Sequence, residues 1–315
     1  MVGRGLQKLH PALEIRYVWV ESEGDRVTSG PLSAVGGKGL FTKAVEQVLL
    51  DGKADFAVHS MKDLPADELT AGLQIAAVPK RADVRDVVIG RSGPLASLDD
   101  LHQGASVGTS SPRRAAQLRQ VRPDLLIELI RGNVGTRLSR VIEDGPGPDA
   151  TLLAAAGLKR LGRGDLIGTP LEVDVMLPAA CQGALGIQCR RDDHVSLTRS
   201  LPLNDPTTST AIHAERSLVA GLGADCHSPI AVLAQQIDPA KTQAVRNADS
   251  HWFHLQAKVM APDGSRVLAV EEKCKTSELR RLVKQMIDQL SNEGAREILK
   301  AAQGQALGSS PATAS

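Results

Sequence analysis

The stretch whose residue types most clearly suit catalysis is ADFAVHSMKDLP, residues 54–65. The apolar run from Phe56 to Val58 predicts a short buried strand, and Lys62 and Asp63 follow it directly. A carboxylate among cations favours its ionised form, so it could stabilise a cationic intermediate or pass protons to a leaving amine. A structural salt bridge in a solvated loop is the commoner outcome for such a pair, and the pattern alone leaves both interpretations open.

Several basic residues lie where predicted strands end. Ligands of α/β folds bind beyond the C-terminal ends of the strands, and arginine holds carboxylates and phosphates through two parallel hydrogen bonds. The arrangement therefore suits a small ligand with several acidic groups, although for any single arginine a solvated surface position is an equal alternative. The basic residues at these positions and at helix entrances are Lys38, Lys62, Arg113, Arg114, Arg131, Arg137, Lys159 and Arg160.

Cys226 lies in a glycine-rich loop, AGLGADCHSP, that follows a predicted helix. A thiol in a loop is accessible and could serve as a nucleophile or as a covalent attachment point. An inert, partly buried thiol is the alternative, and spacing alone slightly favours it. The four cysteines form no C-x-x-C pair, so we expect neither a metal site nor a disulfide framework.

The elements that must position these residues alternate between strands and helices over the first 200 residues, which predicts parallel α/β sheets. The remainder reads as a small α+β unit, in which two strands pair through a turn at residues 261–264. A helix ends at Gly52, and Ser111 and Pro112 are the predicted N-cap and first residue of another. Predicted strands lie at 13–20, 55–58, 74–78, 86–89, 106–107, 125–130, 151–155, 251–260 and 265–271, and further helices at 134–142, 207–220, 277–290 and 294–302.

Composition narrows the possible functions. The chain has 37 lysines and arginines against 36 acidic residues, a net charge of +1, which argues against a general nucleic-acid or membrane-surface binder. No apolar run is long enough to span a membrane, and the first residues lack the apolar region of a secretory signal. We therefore expect a cytoplasmic protein.

Six sequence blocks occur in the order found in the porphobilinogen deaminase (hydroxymethylbilane synthase) family, which the chain closely resembles from about residue 8 to residue 302. Several of the blocks are long, so that chance does not explain their order. They are VGGKGLF (35–41), HSMKD (59–63), GTSSPRR (108–114), RGNVGTRL (131–138), AGLKRL (156–161) and the loop around Cys226.

The resemblance implies an α/β fold with two domains similar to class II periplasmic binding proteins and a small C-terminal α+β domain. Domain 1 would comprise residues 1–83 and 181–203, domain 2 residues 84–180, and the cofactor-attachment domain residues 204–303, before a disordered tail at 304–315. The family begins with a strand and a Thr-Arg-x-Ser motif ahead of the helix in which this chain starts. We therefore expect domain 1 to lack that first strand.

The resemblance also implies a reaction. Members of the family condense four porphobilinogen molecules head to tail with release of ammonia, and then hydrolyse off hydroxymethylbilane. The chain of pyrroles grows on a dipyrromethane cofactor that a thioether joins to a loop cysteine, here Cys226, and the catalytic carboxylate is Asp63. By the same resemblance, Lys38, Lys62, Ser110, Ser111, Arg113 and Arg114 contact the cofactor, and Arg131, Arg137 and Arg160 hold the substrate.

The resemblance further implies a monomer that uses neither nucleic acid nor membrane. Two other functions stay open at this stage. One is an anion-binding solute or effector module on the same fold, and the other is an inactive homologue shortened at its N-terminus. Asp63 beside Lys62, together with a third domain that carries Cys226, favours the enzyme, because a simple binding module needs neither.

Overall fold

The computed structural model describes residues 1–21, 42–67, 69–142, 145–237 and 251–304. No helix in these ranges is long and apolar enough to cross a membrane. The helices are α1 (Val2–Leu9), α2 (Lys43–Leu50), α3 (Pro112–Val121), α4 (Val134–Ile142), α5 (Ala155–Arg160), α6 (His194–Ser200), α7 (Pro206–Gly221), α8 (Leu279–Asn292) and α9 (Ala295–Gly304). The strands are β1 (Ala57–Ser60), β2 (Leu73–Ala77), β3 (Asp86–Gly90), β4 (Gly93–Pro94), β5 (Ser106–Gly108), β6 (Leu126–Glu128), β7 (Ala150–Ala154), β8 (Leu185–Arg190), β9 (Ile230–Ile237), β10 (Trp252–Met260) and β11 (Val267–Lys275).

The first sheet, sheet A, has the strand order β1-β8-β2. Both outer strands run antiparallel to β8, so the predicted parallel arrangement is wrong here. The reason lies in the connection, because β8 comes back to this sheet after the chain has built a second one and enters from the opposite direction. A pattern of alternating strands and helices cannot reveal such a return, since it depends on pairing between distant segments.

The second sheet, sheet B, has the order β4-β3-β7-β5-β6. Strand β5 runs parallel to β6 and to β7, as predicted, whereas β3 runs antiparallel to β7. Every residue of β3 is buried, and its side chains alternate between two cores. Val88 joins one core, and Val87 and Ile89 join the other, which is the pattern of a strand covered on both faces.

The third sheet, sheet C, is antiparallel with the order β11-β10-β9. Its strands β10 and β11 form the predicted hairpin, closed by a hydrogen bond from the Ala261 N–H to the Arg266 carbonyl. One face packs on α7, α8 and α9 around the fully buried Phe253 and Leu255. Two α/β sheets followed by this α+β unit confirm the predicted fold class.

Local signals predicted several helix ends correctly. The Ser111 hydroxyl accepts a hydrogen bond from the Arg114 N–H and caps α3 ahead of Pro112, and Gly52 follows α2 with a φ of 68°. The strand predicted at residues 13–20 is wrong, because this segment is not part of any strand and Trp19 is 91% exposed. Its alternating apolar residues find no neighbouring strand among the described residues. Residues 305–315 of the predicted tail lie outside those residues.

A buried ion pair fastens the segments that cross between the sheets. Glu215 of α7 is fully buried, and its carboxylate accepts hydrogen bonds from the Arg81 guanidinium at 2.6 and 3.0 Å and from the Cys181 and Ala234 N–H groups. Arg81 also donates to the Gln182 carbonyl. Helix α7 therefore holds both crossover segments next to sheet C, because breaking such a pair would leave an uncompensated buried charge.

Candidate functional site

A single 3₁₀ turn, Met61–Asp63, carries the lysine and the aspartate from the end of β1. Met61 anchors the turn: its side chain is buried, its N–H donates to the Ala184 carbonyl at 3.1 Å, and its sulfur lies against Gly186 of β8. A side chain at position 186 would collide with that sulfur, since an added Cβ would lie 2.2 Å from it. Met61 and Leu64 are buried on either side of the lysine and the aspartate, which remain accessible.

Asp63 lies close to several positively charged side chains. It is exposed to solvent, yet protein surrounds it closely enough for burial to raise the pKa of its carboxyl group. The positive charges of Lys62, Arg137 and Arg160 act in the opposite direction and favour the carboxylate. No hydrogen bond to this carboxylate is found among the described residues, so its oxygens can accept hydrogen bonds from a ligand.

Lys62 is half-buried beside Asp63. Burial lowers the pKa of its ammonium group, and the charges of Arg114 and Arg113 lower it further, while Asp63 and Asp86 favour the charged form. The lysine is therefore a cation whose proton is held less tightly than usual. It can donate to a carboxylate at the same place where Asp63 accepts.

The paired arginines of α3 differ from the sequence-based interpretation in one respect. Arg113 and Arg114 are both buried, and both donate to the carboxylate of Asp86 at the start of β3, at 2.7 and 2.8 Å. Arg113 also donates to the Leu177 carbonyl at 2.5 Å. Much of their donor capacity is thus used inside the protein, so they contribute positive charge next to Lys62 more than free hydrogen-bond donors.

Three further arginines keep donors available. The buried Nε and Nη1 atoms of Arg131 have no hydrogen-bond partner within the described ranges, and neither has the Nε of Arg160. Arg160 donates from Nη2 to the Gly183 carbonyl at 2.6 Å, and Arg137 donates from Nε to the Gly132 carbonyl at 2.9 Å. Burial lowers the pKa of all three, to about 10 for Arg137. Buried donors without partners are costly, and an acidic ligand would satisfy them.

Gly132 makes the position of Arg137 possible. It has a φ of 102°, and a Cβ at this position would lie 2.7 Å from the Thr136 side chain, so the turn requires glycine. Asn133 then caps α4 by accepting the Thr136 N–H at 2.9 Å. The Arg-Gly-Asn block is therefore a helix entrance that places Arg131 and Arg137 close to each other.

Most of the predicted charged residues lie close enough to one another for their charges to interact. The charges of Lys62, Arg137 and Arg160 influence the pKa of Asp63, and those of Arg114 and Arg131 influence the pKa of Arg137. Of the predicted cofactor contacts that remain, Ser110 and Ser111 are half-buried at the end of β5, where the Ser111 hydroxyl serves as the helix cap. Lys38 lies outside the described residues.

Cys226 is exposed, whereas the other three cysteines are buried. Its loop is ordered by Asp225, whose carboxylate accepts hydrogen bonds from the His227 N–H and the Ser228 hydroxyl, both at 2.9 Å. The inert, partly buried thiol that spacing slightly favoured is therefore not what the structure shows. An accessible thiol on an ordered loop suits covalent attachment.

Sequence reasoning missed two buried groups next to these residues. Asp86 is fully buried, and a charged residue that opens an apolar strand could have signalled a buried partner. His59 is also buried, and its Nε2 pairs with Gln188, which donates to Glu46. No spacing rule links Glu46, His59 and Gln188, which come from α2, β1 and β8.

Two family models match the chain. The model "Porphobilinogen deaminase, dipyromethane cofactor binding domain" matches residues 1–198, and "Porphobilinogen deaminase, C-terminal domain" matches residues 209–292. Together they cover nearly all of the chain. The first model contains the Asp63 turn and all the predicted arginines, and the second contains Cys226.

Solved structures give weaker similarities. One is YhfZ from Shigella flexneri, with 20% identity over 56% of this chain and 76% of that one, and a TM-score of 0.25. An arginine-specific periplasmic binding protein from Salmonella typhimurium has 15% identity over 56% and 76%, with a TM-score of 0.29. The substrate-binding protein of an amino acid ABC transporter has 12% identity over 70% and 80%, with a TM-score of 0.30. Scores of this size do not bear on the function of the chain.

Proposed function

The chain belongs to the porphobilinogen deaminase family, and we propose how its residues divide the work of the family's reaction. That reaction is a transfer: four porphobilinogen molecules are condensed head to tail with release of ammonia, and hydroxymethylbilane is hydrolysed off. The observation that carries the proposal is that Lys62, Arg137 and Arg160 lie close enough to Asp63 for their positive charges to favour its carboxylate. A substrate with carboxylates and an amine to lose needs both fixed cations and a fixed anion.

The family's dipyrromethane cofactor fits the residues present. Cys226 offers the exposed thiol for a thioether, and the buried Nε of Arg113 offers a donor that lacks a partner within the described ranges. When bound, the cofactor supplies the pyrrole on which the chain is extended. Lys62, Ser110, Ser111, Arg113 and Arg114 would surround it, and Lys38 completes the proposed set from outside the described residues.

Asp63 takes the central role in this proposal. Loss of ammonia from porphobilinogen leaves positive charge on the pyrrole, and a carboxylate held close to that charge stabilises it. Because burial raises its pKa, the same group can also hold a proton for the leaving amine more readily than an exposed aspartate could. Positioning and charge thus come from one side chain.

The arginines of the helix entrance hold the substrate. We expect Arg131→Gln to raise KM for porphobilinogen about tenfold to a hundredfold with little change in kcat, because a charge-assisted bond to a substrate carboxylate is lost. Unfolding should be unaffected, since the buried Nε and Nη1 of Arg131 have no partner among the described residues. Arg140→Gln, at an exposed position in the last turn of α4, is the matched control and should leave KM unchanged. Steady-state kinetics decide, and an unchanged KM in Arg131→Gln would contradict the assignment.

Intact-mass measurement tests the attachment site. Purified wild-type chain should carry an excess equal to one dipyrromethane unit, and Cys226→Ser should show the bare mass, because a serine hydroxyl is too weak a nucleophile to form the link. Cys274→Ser, which removes a buried thiol at the end of β11, should keep the excess. An excess that persists in Cys226→Ser would overturn the site, and a bare wild-type chain that releases no ammonia from porphobilinogen would overturn the proposal as a whole.

We further propose that the domains follow the three sheets: residues 1–83 and 181–203 around sheet A, 84–180 around sheet B, and 204–303 around sheet C. The resemblance to the family supports a monomer, and the near-neutral charge argues against a nucleic-acid partner. Cys181, Cys189 and Cys274 are reduced thiols, which is typical of a reducing compartment such as the cytoplasm. Light scattering of the purified chain would test the monomer.

A further inference from the structure

We infer that Arg216 is a positioning residue for the reaction, and that it holds the turn of Asp63 in register with the loop of Cys226. The inference rests on the proposed roles of Asp63 and Cys226. Arg216 lies on α7, and its guanidinium donates to the Leu64 carbonyl at 3.3 Å and to the Pro65 carbonyl at 2.5 Å. These are the two residues that directly follow Asp63.

The contact restrains the backbone directly after the catalytic turn. At the start of the turn, the Met61 N–H donates a hydrogen bond to the Ala184 carbonyl, in the segment before β8. At its end, the Leu64 N–H donates only a 3.4 Å hydrogen bond to the Met61 carbonyl. Arg216 therefore adds a restraint to the backbone at the end of the turn that carries Asp63.

The apolar packing supports the same connection. Ile212, one turn before Arg216 on α7, is buried in a cluster with Met61 and Leu64, and this cluster also contains Ala184. The neighbouring Glu215 fixes the helix to the crossover segments through Arg81. Because α7 is held at both of these contacts, Arg216 is not a mobile surface side chain but a rigid link.

The other end of the link is the cofactor loop. Helix α7 ends at Gly221, whose carbonyl accepts a hydrogen bond from Arg296, and Cys226 follows in the loop that Asp225 orders. A planar guanidinium with two parallel donors fixes two successive carbonyls in a way that a single ammonium cannot. Arg216 thus sets the distance between the carboxylate and the attachment point of the growing chain, without touching either.

The test uses the full chain, with rates expressed per cofactor-loaded molecule as measured by intact mass. Arg216→Gln should lower kcat about tenfold to a hundredfold with KM for porphobilinogen unchanged, because a displacement of the reacting groups by about 1 Å has this effect. The kcat of Arg216→Lys should lie between those of the wild type and Arg216→Gln. Arg190→Gln is the control, because Arg190 also donates to two carbonyls, those of Leu49 and Ala54, which lie before β1 and so at the opposite end of this strand from the turn. It should keep the wild-type kcat per loaded molecule.

A merely structural role for Arg216 predicts a different result, namely a lower melting temperature with wild-type kcat per loaded molecule, and that result would overturn the inference. If Arg216→Gln folds but stays unloaded while Arg190→Gln is loaded, the turn and the loop are out of register, which supports it. If Arg216→Gln does not fold, Arg216→Lys decides, and a kcat within about twofold of wild type is evidence against the role. Asp63→Asn in the same assay separates the two levels, because retained activity there contradicts the assignment of Asp63 itself and removes the basis of this inference.

Discussion

Replacing Asp63 by asparagine should lower kcat at least about a thousandfold while KM for porphobilinogen stays within about threefold. The amide keeps the shape of the side chain but neither stabilises the positive charge that develops on the pyrrole nor holds a proton for the leaving ammonia. Substrate binding should persist, because the cations that surround Asp63, among them Lys62, Arg137 and Arg160, remain. The measurement is steady-state ammonia release per cofactor-loaded molecule.

The pH dependence gives a second readout of the same change. Burial raises the pKa of Asp63, so its carboxylate is protonated at a higher pH than that of an exposed aspartate, whose pKa is near 3.9. If the carboxylate is the active form, the wild-type kcat falls as the pH drops through this raised value. The asparagine variant should lack this acidic limb.

Asp55→Asn is the matched control, since Asp55 is exposed and lies just before β1, at the opposite end of the strand from the catalytic turn. It should keep both the wild-type rate and the acidic limb. An Asp63→Asn variant with more than about a tenth of the wild-type kcat would show that the surrounding positive charges, and not this carboxylate, are responsible for catalysis.

Local chemistry made much of the fold predictable. The start of α3 follows from Ser111 and Pro112, and the bounds of α4 follow from the Arg-Gly-Asn block and the apolar periodicity after it. The direction of β8 did not follow, because it depends on a partner strand more than 100 residues away, Gln188 pairing with Ala57. The segment at 13–20 has the alternation of a strand but no partner, which shows that alternation reports on a face and not on pairing.

The candidate site was predictable as a set of charges and less so as a set of partners. Strand ends located Asp63 and the arginines, because ligands bind there in α/β folds. The pairing of Arg113 with Asp86 was not predictable, since 27 residues and two elements separate them. Nor was the bond between Arg216 and Pro65, which joins residues 151 positions apart. Both contacts depend on how the sheets pack on each other, and no local pattern encodes that.

Asp86→Asn should have the largest effect on stability, about 3–5 kcal/mol of unfolding free energy. Its carboxylate is fully buried and accepts hydrogen bonds from Arg113, Arg114 and Gln182. An amide would leave two buried guanidinium groups without a counter-ion. The Asp83→Asn control should cost about 1 kcal/mol or less, because Asp83 pairs with Arg85 at the surface. Denaturant unfolding at neutral pH measures both, and equal losses in the two variants would contradict the role of burial.

The pH dependence of stability follows from the same contacts. Burial alone raises the pKa of Asp86, but the charges and hydrogen bonds of Arg114 and Arg113 outweigh it and hold the pKa well below its usual range. The folded-state value therefore lies below the unfolded-state value near 3.9, so the contribution of Asp86 is complete above about pH 5 and decreases as the pH falls toward the folded-state pKa. The difference in unfolding free energy between wild type and Asp86→Asn should shrink from pH 5 toward pH 2. A difference that stays constant over this range would show that the shape of the Asp86 side chain, and not its charge, stabilises the fold. The placement of Arg114 would then depend on packing alone.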